Sequence, residues 1–136
     1  MALQLVITPG ELERQARLAF EGKQARVFLC SDPTGSLKST DPISYFREFA
    51  LKDGEGGYGD WTGTILPGAW SPTRTRYELP PLMAQFQGRE QGFSYDTLVV
   101  QIGDNDYPHS VVRSSEVIQI RAAQVQTYRI LLIHDD

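Results

Sequence analysis

The sequence predicts a mainly β fold: an antiparallel β-sandwich or jelly-roll-like domain spanning residues 1–136, with one N-terminal helix and a short second helix. Three observations carry this. Phe93 to Ile133 reads as three consecutive strand-like segments with little chain between them. The chain holds 12 Gly and 8 Pro, enough turn-formers to punctuate many short strands. And Thr8-Pro9-Gly10-Glu11 is a helix start, with a hydroxyl at the cap, Pro at the first helical position and an acid placed to complete a capping box.

The elements follow in order. Leu3, Leu5 and Ile7 alternate with Gln4 and Val6, a period of two that predicts a short N-terminal strand. After the helix start, Leu12, Ala16, Ala19 and Phe20 share one face, Glu13 and Arg17 pair on the other, and Gly22 stops the helix. Ala25 to Cys30 is almost continuously apolar, as expected of a central strand. Asp32-Pro33-Thr34-Gly35 turns the chain, and Thr40-Asp41-Pro42 starts a short helix whose apolar positions are Ile43, Phe46, Phe49 and Ala50.

Lys52 to Gly63 carries five glycines in twelve residues and reads as a long loop, mobile until something orders it. Strands are expected at Thr64–Leu66, Thr73–Leu79 and Leu82–Phe86, with Pro80-Pro81 as a break and Gln87–Gly92 as a polar turn. Phe93–Ile102, Ser110–Ile120 and Ala123–Ile133 complete the set, with Gly103–His109 as a loop.

Composition narrows the function. A formal charge of −4 and scattered cations argue against binding of a nucleic-acid backbone, which needs a basic stripe. One cysteine, Cys30, excludes an intrachain disulfide or a thiolate metal cluster, and its place after an apolar run marks it as a core residue. No basic-apolar leader opens the chain and no run of about 18 apolar residues occurs, so a soluble cytoplasmic product with no membrane contact is expected.

The candidate chemistry is incomplete at each place it is sought. The Gly-rich loop lacks the G-K-[ST] and strand-to-helix setting of a phosphate cradle. Asp53, Glu55 and Asp60, or Asp104 and Asp106, lack the ligand spacing of a calcium loop, so no metal and no cofactor are expected. His109 and His134 are the two histidines, and Ser110, Ser114 and Ser115 sit in no nucleophile elbow. Glu55, Glu78, Glu90 and Asp96 read as solvating surface acids, and no catalytic residue is assigned. What remains is an aromatic and arginine-rich stretch: Tyr58, Trp61, Trp70, Arg74, Arg76 and Tyr77. Such residues anchor protein interfaces, which places the expected contact surface at Gly54 to Arg76; Trp61, Trp70 and Tyr58 would alternatively stack on a glycan.

In pattern, the chain resembles small virion structural proteins of tailed bacteriophages. The resemblance rests on a helix at Leu12 to Phe20, the strand Ala25-Arg26-Val27-Phe28-Leu29, an acidic position at Glu48, the stretch Gly54-Glu55-Gly56-Gly57-Tyr58, and closing strands at Phe93–Ile102 and Ala123–Ile133. The segment Asp41 to Leu51, more helical and aromatic than that pattern, and Pro80-Pro81 depart from it. The resemblance implies a non-enzymatic homo-oligomer, a capsid-decoration or tail and fibre subunit, made in the host cytoplasm and binding other virion structural proteins.

Overall fold

A computed structural model of the chain describes residue 3, residues 6–71, residue 73 and residues 76–132. In chain order the elements are α1 (Pro9–Phe20), β1 (Gln24–Cys30), α2 (Ile43–Glu48), a 3₁₀ turn (Glu55–Gly57), β2 (Trp61–Thr64), β3 (Ala69–Ser71), β4 (Arg76–Glu78), β5 (Leu82–Gln87), β6 (Phe93–Ile102), β7 (Ser110–Ile120) and β8 (Val125–Ile130). All strand pairs are antiparallel. One sheet has the order β2-β1-β6-β7, a second is the pair β5-β8, and β3-β4 is a separate hairpin.

The central strands are apolar on both faces because both faces are covered. On one, Val27, Leu29, Leu98, Val100 and Ile102 pack against Leu82, Ala84 and Phe86 of β5, and Ala16 and Phe20 of α1 join the same core. On the other, Phe28, Cys30 and Val99 meet Leu37, Ile43 and Phe46. This second layer explains the near-continuous apolar run of β1. The Cys30 thiol is buried, contacts the Phe46 carbonyl at 3.4 Å, and is pushed up to about 12 by desolvation, so it stays a thiol.

Helix α1 starts where the sequence indicates. The Thr8 hydroxyl accepts from the Glu11 N–H at 3.2 Å. The expected reciprocal bond from the Glu11 carboxylate is replaced by a two-point contact with Arg14, at 2.6 and 2.7 Å, because a guanidinium one turn on is the stronger partner. Helix α2 also lacks its expected cap: Asp41 accepts from the Lys38 N–H at 2.7 Å instead, and Pro42 precedes the first turn.

Several boundaries shift. Leu3, Val6 and Ile7 lie in no strand, with exposures of 85%, 79% and 41%; residues 4 and 5 of that predicted strand fall outside the described residues. The strand expected at Thr64–Leu66 is Trp61–Thr64, since β2 pairs with Gln24–Val27 of β1, and Ile65 is held by the Lys23 carbonyl beyond it. Ala69–Ser71 is a strand that no periodicity announced. The strand expected at Thr73–Leu79 is Arg76–Glu78, with residues 74 and 75 outside the described set. The last strand is Val125–Ile130; Ala123 has a φ of +66° in the turn before it, and residue 133 is not described.

The Gly-rich loop is the largest revision. Instead of swinging free, it is clamped backbone to backbone. A Cβ on Gly56 would lie 1.8 Å from the Gly92 carbonyl oxygen, and one on Gly92 would lie 2.0 Å from the Ile120 carbonyl oxygen. The Arg89 N–H donates to the Gly56 carbonyl at 2.7 Å, which fixes this stack of loop, turn and β7 end. The glycines supply close approach, a use as common as flexibility and indistinguishable from it in sequence. Gly54, also at positive φ (+89°), faces open space. Gly54→Ala should therefore cost only the left-handed backbone penalty, about 1–2 kcal/mol. Gly56→Ala should cost about 1–3 kcal/mol more through overpacking, read as a lower urea midpoint at unchanged slope.

Candidate functional site

Among the residues selected from sequence, those whose side chains are described do not share one exposed surface. Tyr58 and Tyr77 are buried, at 2% and 5% exposure, so neither is an exposed anchor. The Tyr58 ring packs against Phe86 and Phe93, and its hydroxyl accepts from the Leu29 N–H at 2.9 Å while donating to Asp60 at 2.7 Å. Desolvation pushes this phenol upward, and the Asp60 contact adds to it. The Tyr77 hydroxyl donates to Glu21 of the α1 C-cap, and both groups meet the Gly68 N–H. Arg17 lies over the Tyr77 ring at 5.4 Å, completing a clasp between α1 and β4.

Trp61 and Trp70 are half-buried and packed on the main core. The Trp61 ring lies over Gly63, where a Cβ would come within 2.5 Å of it, so the indole uses the missing side chain as its seat. Trp70 borders a shallow depression of about 340 Å³ shared with Pro67, Gly68, Leu79 and Pro80. With Tyr58 inside, the three-ring glycan platform is not assembled. Arg74 lies outside the described residues, and of Arg76 only the β4 backbone is described. His134 likewise lies outside them.

Two of the candidate acids, Asp60 and Asp96, hold structure together. Asp60 is bound by Arg47 at 2.6 Å and approached by Arg26 at 3.8 Å, while the Arg47 guanidinium lies 4.1 Å from the centre of the Phe28 ring. Asp96, expected to solvate the surface, is 8% exposed and accepts the Asp32 N–H at 3.0 Å and the Thr97 hydroxyl at 2.9 Å. Asp32 itself is 1% exposed. It accepts the Ser36 and Leu37 N–H groups at 3.0 and 2.8 Å and pairs with Arg113 at 2.8 Å. Asp53, Glu55, Asp104 and Asp106 are exposed. Among the described residues no group of three or more His, Cys, Asp or Glu side chains converges as metal ligands would. His109 meets the Ser110 hydroxyl at 3.3 Å and the edge of Phe20, with ring centres 5.4 Å apart.

The feature that sequence reasoning missed lies on the far side of the sandwich. Among the described residues β7 pairs only with β6, and β8 only with β5. Between them runs an apolar groove of about 180 Å³, lined by Tyr95 and Leu98 of β6, Val112 and Ile118 of β7, and Tyr128 and Ile130 of β8. Val112 faces the core side, opposite Leu98, yet is 63% exposed because the two-stranded sheet does not reach it. Within β7 the register breaks: Asp96 alone stands against Ser114, Ser115, Glu116 and Val117, a bulge that leaves Val117 68% exposed. The strand expected at Ser110–Ile120 does not by itself say which of its positions a facing sheet covers.

No protein-family model, curated protein or solved structure matches the chain. No helix among the described residues is long and apolar enough to cross a membrane.

Asp32 yields a test of these assignments. Burial alone would raise its carboxyl, but the Leu37 and Ser36 N–H groups and Arg113 outweigh it and hold the group below the ordinary carboxylate value. A depressed folded-state value means stability that is complete above the unfolded value, about 3.9, and is lost as pH falls through the folded one. Asp32→Asn should lower stability at pH 7 by about 1.5–3 kcal/mol and flatten the acid limb of a urea-midpoint profile between about pH 5 and 2.

Proposed function

We propose that the protein is a non-enzymatic assembly subunit that works through protein–protein contacts, and that the particle it builds is a bacteriophage virion. The observation that carries the first part is the uncovered core-side face along β7, where Val112 is 63% and Ile118 38% exposed beside an apolar groove. A sheet that leaves inward-facing aliphatics in water, next to unpaired strand edges, is stabilised when another chain covers it. The engagement of Asp32, Asp60, Asp96 and Glu21 in buried or half-buried structural contacts supports the same reading, because these acids already have partners. The virion rests on the sequence resemblance, with capsid decoration and tail or fibre membership both inside it.

The arrangement favours assembly over glycan stacking, since Tyr58 is inside and Trp61 lies on Gly63. Purified protein mixed with particles that lack it should cosediment at saturable stoichiometry, and the chain should be present in purified virions. A protein absent from virions that also fails to sediment with particles would contradict the reading.

A further inference from the structure

We propose that the groove beside β7 receives Leu66 of a second copy of this chain, so that copies join head to tail; the choice of a second copy rests on the assembly reading above. The hole is already formed. Val112 and Ile118 line it at 63% and 38% exposure, and its volume of about 180 Å³ exceeds the roughly 150 Å³ of an apolar cavity that takes up benzene. One leucine side chain fits. Tyr95 also lines the groove, and its hydroxyl is the one buried side-chain polar atom among the described residues without a hydrogen-bond partner.

The knob stands at the other end of the same sheet. In the order β2-β1-β6-β7, Leu66 follows β2 while the groove lies beside β7, three strand spacings or roughly 14 Å across, so a chain does not seat its own Leu66. Leu66 is 60% exposed although Ile65 beside it is buried. The loop that carries it is fixed on both sides. The Ile65 N–H donates to the Lys23 carbonyl and the Gly22 N–H to the Ile65 carbonyl, both at 2.9 Å. Beyond Leu66, the Gly68 N–H donates to the Glu21 carboxylate at 2.9 Å, and a Cβ on Gly68 would lie 2.2 Å from the Glu78 carbonyl oxygen. Pro67 further restricts Leu66 to extended backbone. A leucine held out in water by a rigid loop loses little conformational entropy when it is seated. The polar groups match as well. The Leu66 carbonyl accepts no hydrogen bond among the described residues, and the Tyr95 hydroxyl gives none, so a seated loop offers an acceptor to a donor that lacks one. Seating also carries Lys23 toward Glu116, two residues from Ile118 in β7; both are exposed and neither has an ion pair among the described residues. Because knob and hole are different surfaces, the contact is heterologous and repeats from copy to copy, as a closed ring or a filament.

The test compares five full-length proteins by light scattering and thermal melting: wild type, Leu66→Asp, Val112→Asp with Ile118→Asp, Tyr95→Phe, and Leu18→Asp as a change at an exposed leucine elsewhere. Wild type and Leu18→Asp should be oligomeric, and the Leu66 and groove variants folded monomers. Mixed in equal amounts, those two monomers should form a dimer of one chain each and nothing larger, because only one knob and one hole stay intact. Tyr95→Phe should weaken association about five- to tenfold without lowering the monomer melt, the signature of a hydroxyl satisfied only in the assembly. Lys23→Glu should weaken it about three- to tenfold, and Glu116→Lys in the same chain should restore it. A wild-type monomer at high concentration, a Leu66→Asp protein of wild-type size, or a variant mixture that stays monomeric would overturn the inference. Particles that bind monomeric Leu66→Asp as well as wild type would overturn self-association as the route while leaving the assembly reading standing. Head-to-tail association of a chain that never enters particles would do the reverse.

Discussion

The Leu29 amide is the point on which the fold turns. β1 is flanked by β6 along its length but by β2 only as far as Val27, so the amide of Leu29 faces a side that β2 has left. A buried N–H without a partner costs about 1–3 kcal/mol, and here the Tyr58 hydroxyl supplies the acceptor. The remaining groups on that side are met by the chain leaving α2: Leu51 N–H donates to the Leu29 carbonyl, and Ser31 N–H donates to that of Phe49, both at 3.0 Å. One phenol and one short bridge thus extend the sheet where no strand continues it.

That constraint organises what surrounds it. Holding Tyr58 inside draws the Gly-rich segment onto the turn at Gly92, where only glycine allows the backbones to meet. Asp60, two residues on, gathers Arg47 from the layer of α2, so the loop joins both cores. On the opposite sheet edge, Asp32 and Asp96 tie the chain after β1 to β6, and Arg113 fastens β7 to the same knot. The sandwich is therefore closed tightly at its β1 side and left open between β7 and β8. Rigidity on one side and an open groove on the other suit the assembly role proposed above, since a fixed edge costs little ordering entropy on association.

Much of the architecture was legible. The β6 and β7 boundaries, Phe93–Ile102 and Ser110–Ile120, follow directly from alternation and flanking turns. The α1 start follows from Thr8-Pro9, and the central place of β1 from its unbroken apolar run. The second helix was also readable, although its cap was not. The proposed contact surface was less so, for physical reasons. Tyr58 and Tyr77 carry a polar tip that reads as surface chemistry, but each tip is spent on a backbone amide and a carboxylate within the chain. Glycine serves motion and close packing alike, and only three-dimensional neighbours separate the two. The open groove depends on how far β5-β8 extends over β7, a matter of sheet width that no local pattern encodes.

Amide hydrogen exchange, followed residue by residue in the isolated chain and in the assembly proposed above, bears most directly on the central claim. The account predicts that the Leu29 and Leu51 amides are already protected in the isolated chain, that residues 52–60 are unchanged by assembly, and that new protection is concentrated in β7 and β8. New protection concentrated in residues 54–76, with β7 and β8 unaffected, would contradict it and return the contact surface to the aromatic stretch that sequence alone selects.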